Sequence, residues 1–186
     1  MRKTSIIPSR ITWAVNQLRV RPDQRILEIG PGRGVAAELV CNRLSSGTGS
    51  YLGIDRPAFA VTASRERNRR HVERQTAQFE QLVLQEIDPN SAGSLHTVFA
   101  INVNLFWTKS DQLELGLIRT LLNTSGQLCL FFEAPTAGVM SRLADRLGEH
   151  LDHANFVYEV TSEDREGALL LGFRCSPHPL ERLLLT

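Results

Sequence analysis

The decisive stretch is Arg25-Ile26-Leu27-Glu28-Ile29-Gly30-Pro31-Gly32-Arg33-Gly34. Its first half is an apolar run carrying one acid and reads as a strand. Its second half is a tight glycine turn, and Val35-Ala36-Ala37-Glu38-Leu39-Val40 then starts a helix. Strand, glycine turn and helix in that order make a site for a nucleotide-like ligand, because glycine lets the backbone bend sharply and approach a ligand with no Cβ in the way. The spacing narrows the ligand. The dinucleotide fingerprint is G-x-G-x-x-G, with the pyrophosphate on the helix N-terminus. Here the glycines fall as G-x-G-x-G, and Val35 stands where the third fingerprint glycine would be. No Gly-Lys-Ser/Thr follows, which excludes the P-loop.

Glu28 points the same way. A carboxylate there would repel a pyrophosphate and would form a charge-assisted hydrogen bond with an ammonium group. A ligand with a cationic amino-acid end and a nucleoside end, such as S-adenosylmethionine, meets both conditions. The stretch Glu28-Ile29-Gly30-Pro31-Gly32-Arg33-Gly34 resembles motif I of the class I S-adenosylmethionine-dependent methyltransferases, E/D-x-G-x-G-x-G.

Size and composition bound the rest. A chain of 186 residues suits a single domain with a substantial core. Hydrophobic content of 42% and charged content of 22% are ordinary for a globular protein, and a net charge of +1 gives no general drive toward nucleic acid or acidic membranes. Cys41, Cys129 and Cys175 are far apart and form no CxxC pair, so they read as buried thiols in a reducing compartment. No His/Cys/Asp cluster has metal-ligand spacing. With no leader-like start and no membrane-spanning apolar run, a soluble cytoplasmic protein, monomeric or homodimeric, is expected.

Along the chain, residues 1–7 are short, basic and loosely held. Pro8-Ser9 opens a helix with Ile11, Val15 and Leu18 at helical spacing. After strand one (25–29) and a helix to about Leu44, Ser50 to Asp55 is strand two and Pro57 to about Arg74 a helix. Gln78 to Leu84 is strand three, Asp88-Pro89-Asn90-Ser91 a break, and His96 to Asn102 a buried strand four, almost wholly apolar as suits a central parallel strand. A helix over Ser110 to Leu122, strand five over Gln127 to Glu133 and a helix over 137–150 follow. The strands Phe156 to Thr161 and Ala168 to Cys175 are joined by Ser162 to Gly167, too short for a crossover helix, so they pair antiparallel. The alternation implies an α/β fold with a mostly parallel sheet and helices on both faces. The resemblance makes this specific: a Rossmann-like three-layer αβα sandwich whose seven strands run 3-2-1-4-5-7-6, the last antiparallel. One methyltransferase domain would fill 1–186, with residues 1–22 as an N-terminal helical extension and 23–186 as the core.

The resemblance also assigns roles. S-adenosyl-L-methionine is the expected cofactor and S-adenosyl-L-homocysteine its product, held by Glu28, Gly30, Pro31, Gly32 and Gly34. Asp55 ends strand two about 20 residues beyond the turn, the place from which an acid reaches a ribose diol; a surface acid capping the next helix is the other reading. Arg56 packs along the adenosine or faces water. Leu84 and Gln85, after strand three, wall and hydrogen-bond the adenine, or simply end a strand. Asn102 and Val103 meet the cofactor at the carboxyl edge of strand four. Asn104, Phe106 and Trp107 face the acceptor, as does Trp13. Taken singly, Phe106 and Trp107 suit helix-to-sheet packing better; as a cluster with the two asparagines they suit a pocket edge.

Absences narrow the reaction. No D/N-P-P-Y/F follows strand four, disfavouring amine methylation through that motif, and no Pro-Cys pair supports cysteine attack on cytosine. The sulfonium is already a strong electrophile, so the protein has chiefly to align acceptor and methyl and exclude water. No catalytic base is named. The compact, near-neutral chain and aromatic strand-four edge suggest in-line transfer to a small-molecule acceptor, with no nucleic acid or membrane partner. A cofactor-binding protein without transfer, and an RNA or protein methyltransferase, are the alternatives.

Overall fold

In the computed structural model, which describes residues 7–88, 94–108, 113–165 and 167–178, Arg25–Ile29 form strand β1. Its side chains alternate between the two faces of a sheet: Ile26 joins one hydrophobic cluster, Leu27 and Ile29 the other. Around it stand helix α1 (Ser9–Gln17), α2 (Val35–Leu44), β2 (Ser50–Asp55), α3 (Ala58–Arg67), α4 (Arg69–Glu73), β3 (Ala77–Gln81), a 3-10 turn (Leu84–Glu86), β4 (Leu95–Ile101) and one helical turn, α5 (Leu105–Thr108). Helix α6 (Leu113–Leu121), β5 (Leu122–Ala134), α7 (Ala137–His153), β6 (Phe156–Arg165) and β7 (Ala168–Pro177) complete it.

The strands form one sheet in the order β3-β2-β1-β4-β5-β7-β6. Pairing is parallel from β3 through β5, and β7 runs antiparallel to both β5 and β6. This is the expected layout. On one face Trp13, Val15 and Leu18 of α1 and Ala37 and Val40 of α2 cover Phe99 and Phe131; on the other, Ile118 of α6 and Leu147 and Leu151 of α7 cover Val98 and Leu130. Burying both faces explains the almost continuous apolar runs of β4 and β5.

Several boundaries differ from the sequence reading. The helix expected over 57–74 is broken at Asn68, whose side chain serves other partners described below. Strand three stops at Gln81, so Leu84 and Gln85 sit on the 3-10 turn instead of a strand end. β5 starts earlier, at Leu122, and α7 runs on to His153, with Thr136 Oγ1 accepting from the Val139 N–H at 3.3 Å as its N-cap. Most of the expected Ser162–Gly167 linker is strand, because Asp164 Oδ1 takes the Gly167 N–H and Gly167 adopts φ +84°, which lets the hairpin turn at once. Residues 1–6, most of the break over 88–91 and the first turn of the helix expected from Ser110 lie outside the described residues.

The N-terminal helix is built into the core: Ala14, Val15 and Leu18 are wholly buried and Trp13 is 3% exposed. The Trp13 ring meets Phe131 edge-on, 5.6 Å between centroids at 81°. Gly172 of β7 makes room for it, since a Cβ there would lie 2.9 Å from the indole. Trp13 is therefore packed away from any acceptor. Its truncation to alanine is expected to lower stability by about 3–5 kcal/mol in urea unfolding; a loss under about 1 kcal/mol would contradict this placement.

Candidate functional site

A cleft of about 470 Å3 opens at the carboxyl ends of the parallel strands, where open α/β sheets bind ligands. Its size suits a nucleoside-sized molecule. The ends of β1 and β2 supply Ile29, Gly30, Ile54, Asp55 and Arg56. The segment after β3 supplies Leu82 to Gln85, and the segment after β4 supplies Asn102 to Leu105 and Thr108. The sequence thus located Gly30, Asp55, Arg56, Leu84, Gln85, Asn102, Val103 and Asn104 in one cleft, although they come from four separate stretches. It missed the apolar walls Ile29, Ile54, Leu82, Val83 and Leu105, and Thr108. Ile29 and Ile54 carried a usable signal: they immediately precede the glycine turn and Asp55.

Asp55 does structural work as well as facing the cleft. Its Oδ2 accepts the Gly32 N–H at 3.0 Å and its Oδ1 the Arg56 N–H at 2.9 Å. A carboxylate has about four lone-pair sites, so acceptor capacity remains for a diol. Asn102 adopts φ +55°, and its Oδ1 accepts the Glu133 N–H at 2.8 Å, fastening β4 to β5. That leaves its amide nitrogen as the group it can offer the cleft.

The glycine turn has a second brace from α3. Ser64 Oγ donates to Gly32 O at 3.0 Å, and Asn68 Nδ2 donates to both Gly34 O and Ser64 O at 3.0 Å. Ser64 and Asn68 are wholly buried. Gly30, Gly32 and Gly34 all have positive φ, between +58° and +72°, which explains the residue type. Their surroundings differ. A Cβ on Gly30 would meet Val103 at 2.8 Å and one on Gly34 would meet Asn68 at 2.5 Å, whereas nothing lies within 4 Å of one on Gly32. Two of the three glycines therefore admit neighbouring protein. Of the turn, Gly30 lines the cleft, and Pro31, Gly32 and Gly34 are not among its lining residues.

Glu28 departs most from expectation. It shares the Ile26 face of β1, is 2% exposed, and accepts a hydrogen bond from the Tyr51 hydroxyl. It does not line the cleft. Burial pushes its carboxyl from 4.5 to about 8, against the pull of the Tyr51 hydroxyl and with a further push from Asp55. A group so placed is protonated at neutral pH and acts as a neutral partner beneath the turn.

No protein-family model matches the chain, and no curated protein matches its sequence. Solved structures do. An S-adenosylmethionine-dependent methyltransferase from Aquifex aeolicus superposes with TM-score 0.70 at 12% identity, over 91% of this chain and 93% of that one. The precorrin-6y C5,15-methyltransferase of Geobacter metallireducens gives 0.67 at 13% identity, over 94% and 92%. The fold is that of the class I methyltransferases. The cyclase SpnF shares it too, with TM-score 0.70 at 14% identity over 90% of this chain and 80% of that one.

Within this methyltransferase fold, the aromatic residues after β4 do not form the expected acceptor wall. Successive residues of α5 point about 100° apart. Phe106 turns into the core at 3% exposure, and its carbonyl lies 3.0 Å from His150 Nδ1. Trp107 lines a separate groove of about 580 Å3 against α7, with Val139, Arg142 and Leu143. Only Asn104 of the expected acceptor residues borders the cleft. None of the five histidines lines it, and Asp55 and Arg56 are its only charged residues among the described ones. All three cysteines are buried free thiols, with Cys41 and Cys129 pushed up to about 12 by burial.

Two outcomes are expected. Gly32→Ala meets only the left-handed backbone penalty of about 1–2 kcal/mol, whereas Gly34→Ala also strikes Asn68 and Ser64. Urea unfolding should therefore show the larger loss for Gly34→Ala, and equal losses would contradict the brace. The folded protein keeps the Glu28 proton up to about pH 8, while the unfolded chain releases it near 4.5. The stability this group contributes is full below about 4.5 and is lost as pH rises through about 8. Between pH 5 and 9 the wild-type Tm should thus fall several degrees more than that of Glu28→Gln; parallel curves would show that Glu28 is not buried in this way.

Proposed function

We propose that the chain is an S-adenosylmethionine-dependent methyltransferase that moves the methyl group to a small-molecule acceptor. The observation that carries the cofactor reading is the cleft itself. An acid at the end of β2, the first turn glycine, an apolar wall with an amide after β3, and an asparagine after β4 converge on one nucleoside-sized space at the switch point of a methyltransferase fold. Asp55 would take the ribose hydroxyls, Leu84 and Gln85 the adenine end, and Gly30, Asn102 and Val103 the methionine end. The cofactor's sulfonium supplies the electrophile. The chain's own part is to hold the ligand between apolar walls and line up the acceptor past Asn104. The small-acceptor reading rests on the near-neutral chain and on a cleft where, among the described residues, Arg56 is the one cationic side chain, too little to follow a phosphate backbone. Placing Phe106, Trp107 and Trp13 elsewhere removes the aromatic argument for it.

A second reading, cofactor binding without methyl transfer, is favoured by the absence of any His, Cys, Lys, Tyr or Glu from the cleft lining among the described residues. Transfer from a sulfonium to an acceptor that is already deprotonated needs none, and a cyclase on this fold shows that the fold does not dictate the reaction.

Calorimetric titration with S-adenosylmethionine, S-adenosylhomocysteine and NAD tests the cofactor. Binding of the two sulfur nucleosides and not NAD, weakened at least tenfold by Asp55→Ala, is expected. NAD binding, or none, would overturn the reading. Salt-sensitive binding to RNA with methyl transfer to it would overturn the choice of acceptor.

A further inference from the structure

The segment after β3 is held in a defined shape. Val83 N–H donates to Glu86 Oε2 and Glu86 N–H donates to Val83 O, each at 3.0 Å, closing the 3-10 turn on itself. Leu84 is driven into the core at 3% exposure, so the next residue, Gln85, is carried outward to the cleft. An exposed glutamine amide ordinarily presents either of its ends, the carbonyl or the NH2 group, according to what it meets. This one is tethered. Its Nε2 donates to Glu114 Oε1 at 2.7 Å, and Glu114, on α6, is itself 3% exposed. A carboxylate can only accept, so this contact selects the NH2 end and leaves the carbonyl end of the amide for the cleft.

We infer that Glu114 is a positioning residue that fixes the Gln85 amide with its carbonyl toward the ligand, so that the site takes a nucleobase carrying an exocyclic amine and rejects one carrying a carbonyl there. The inference rests on the cofactor reading, and it adds a source of base selectivity that lies one helix away from the cleft. A free glutamine would rotate to offer NH2 to a keto base and discriminate weakly. A tethered one must break its 2.7 Å hydrogen bond to a buried acidic side chain to do so. Sites built around a fixed hydrogen-bond pattern reject the wrong partner for this reason.

The test compares S-adenosylhomocysteine with its 6-keto counterpart, S-inosylhomocysteine, by calorimetry on wild type, Glu114→Leu and Glu114→Gln. Wild type should prefer the amino form at least tenfold. Glu114→Leu, which frees the amide, should bind the keto form at least fivefold more tightly than wild type does, a gain that a merely damaged pocket would not produce. Glu114→Gln, which keeps an accepting carbonyl, should fall between the two, and it carries the test if the leucine variant does not fold. Equal wild-type affinities, or a Glu114→Leu variant whose keto-form affinity stays level or drops, would overturn the inference while leaving the cofactor reading intact. Failure of the wild type to bind either nucleoside would instead overturn the cofactor reading and this inference with it.

Discussion

A turn of three left-handed glycines is held from both sides, by the Asp55 carboxylate on the Gly32 N–H and by Ser64 and Asn68 on the Gly32 and Gly34 carbonyls. The site depends on this arrangement. Left-handed backbone is tolerated by glycine without being preferred, so a run of such residues needs partners that fix it. They come from the end of β2, which also lines the cleft through Asp55, and from α3 and the residue just past its end, Asn68. The geometry of the turn and the position of Asp55 are therefore one property. A ligand that drew Asp55 away from Gly32 would loosen the turn, so one that met Asp55 would have to use the carboxylate's remaining lone pairs.

Beneath the turn, polarity is handled differently. Glu28 and Tyr51 form a buried pair, no cation among the described residues offsets a negative charge there, and the protein keeps the acid protonated instead. Burying an ionised carboxylate costs far more than burying a neutral one. A neutral acid bonded to a phenol fills polar space under α2 without that cost. In the cleft itself Asp55 is the one acid among the described lining residues, which would favour a cationic ligand over a polyanion.

The fold was legible because its signals are local. Apolar runs, glycine and proline punctuation and short connections identified nearly every strand, and the short hairpin connection predicted the antiparallel end. The cleft was legible where it is built from strand ends, as with Gly30, Asp55 and Asn102. Glu28 was misplaced although the information was present: counting alternation from Ile26 puts it on the face covered by α2, away from Ile29. Phe106 and Trp107 were grouped by composition, but adjacent positions on a helical turn diverge. Ser64, Asn68 and Glu114 could not be found from sequence. Each acts on a residue some 30 positions away through a contact that exists only once helix and strand have docked, and their types are unremarkable on a helix.

The first helix is clasped by the last strands. Arg10 pairs with Glu133 at 3.1 Å, Trp13 lies against Phe131, and Arg174 donates to the Gln17 carbonyl across 157 residues of sequence. During synthesis, α1 leaves the ribosome well before these partners, which follow it by more than a hundred residues. Its apolar face, Ala14, Val15 and Leu18, has no complete cover until β5 and β7 are in place. Such long-range closure slows folding and prolongs exposure of sticky surface. The nascent chain is thus most prone to association just before its C-terminal hairpin appears, and a product shortened by that hairpin would remain in that state.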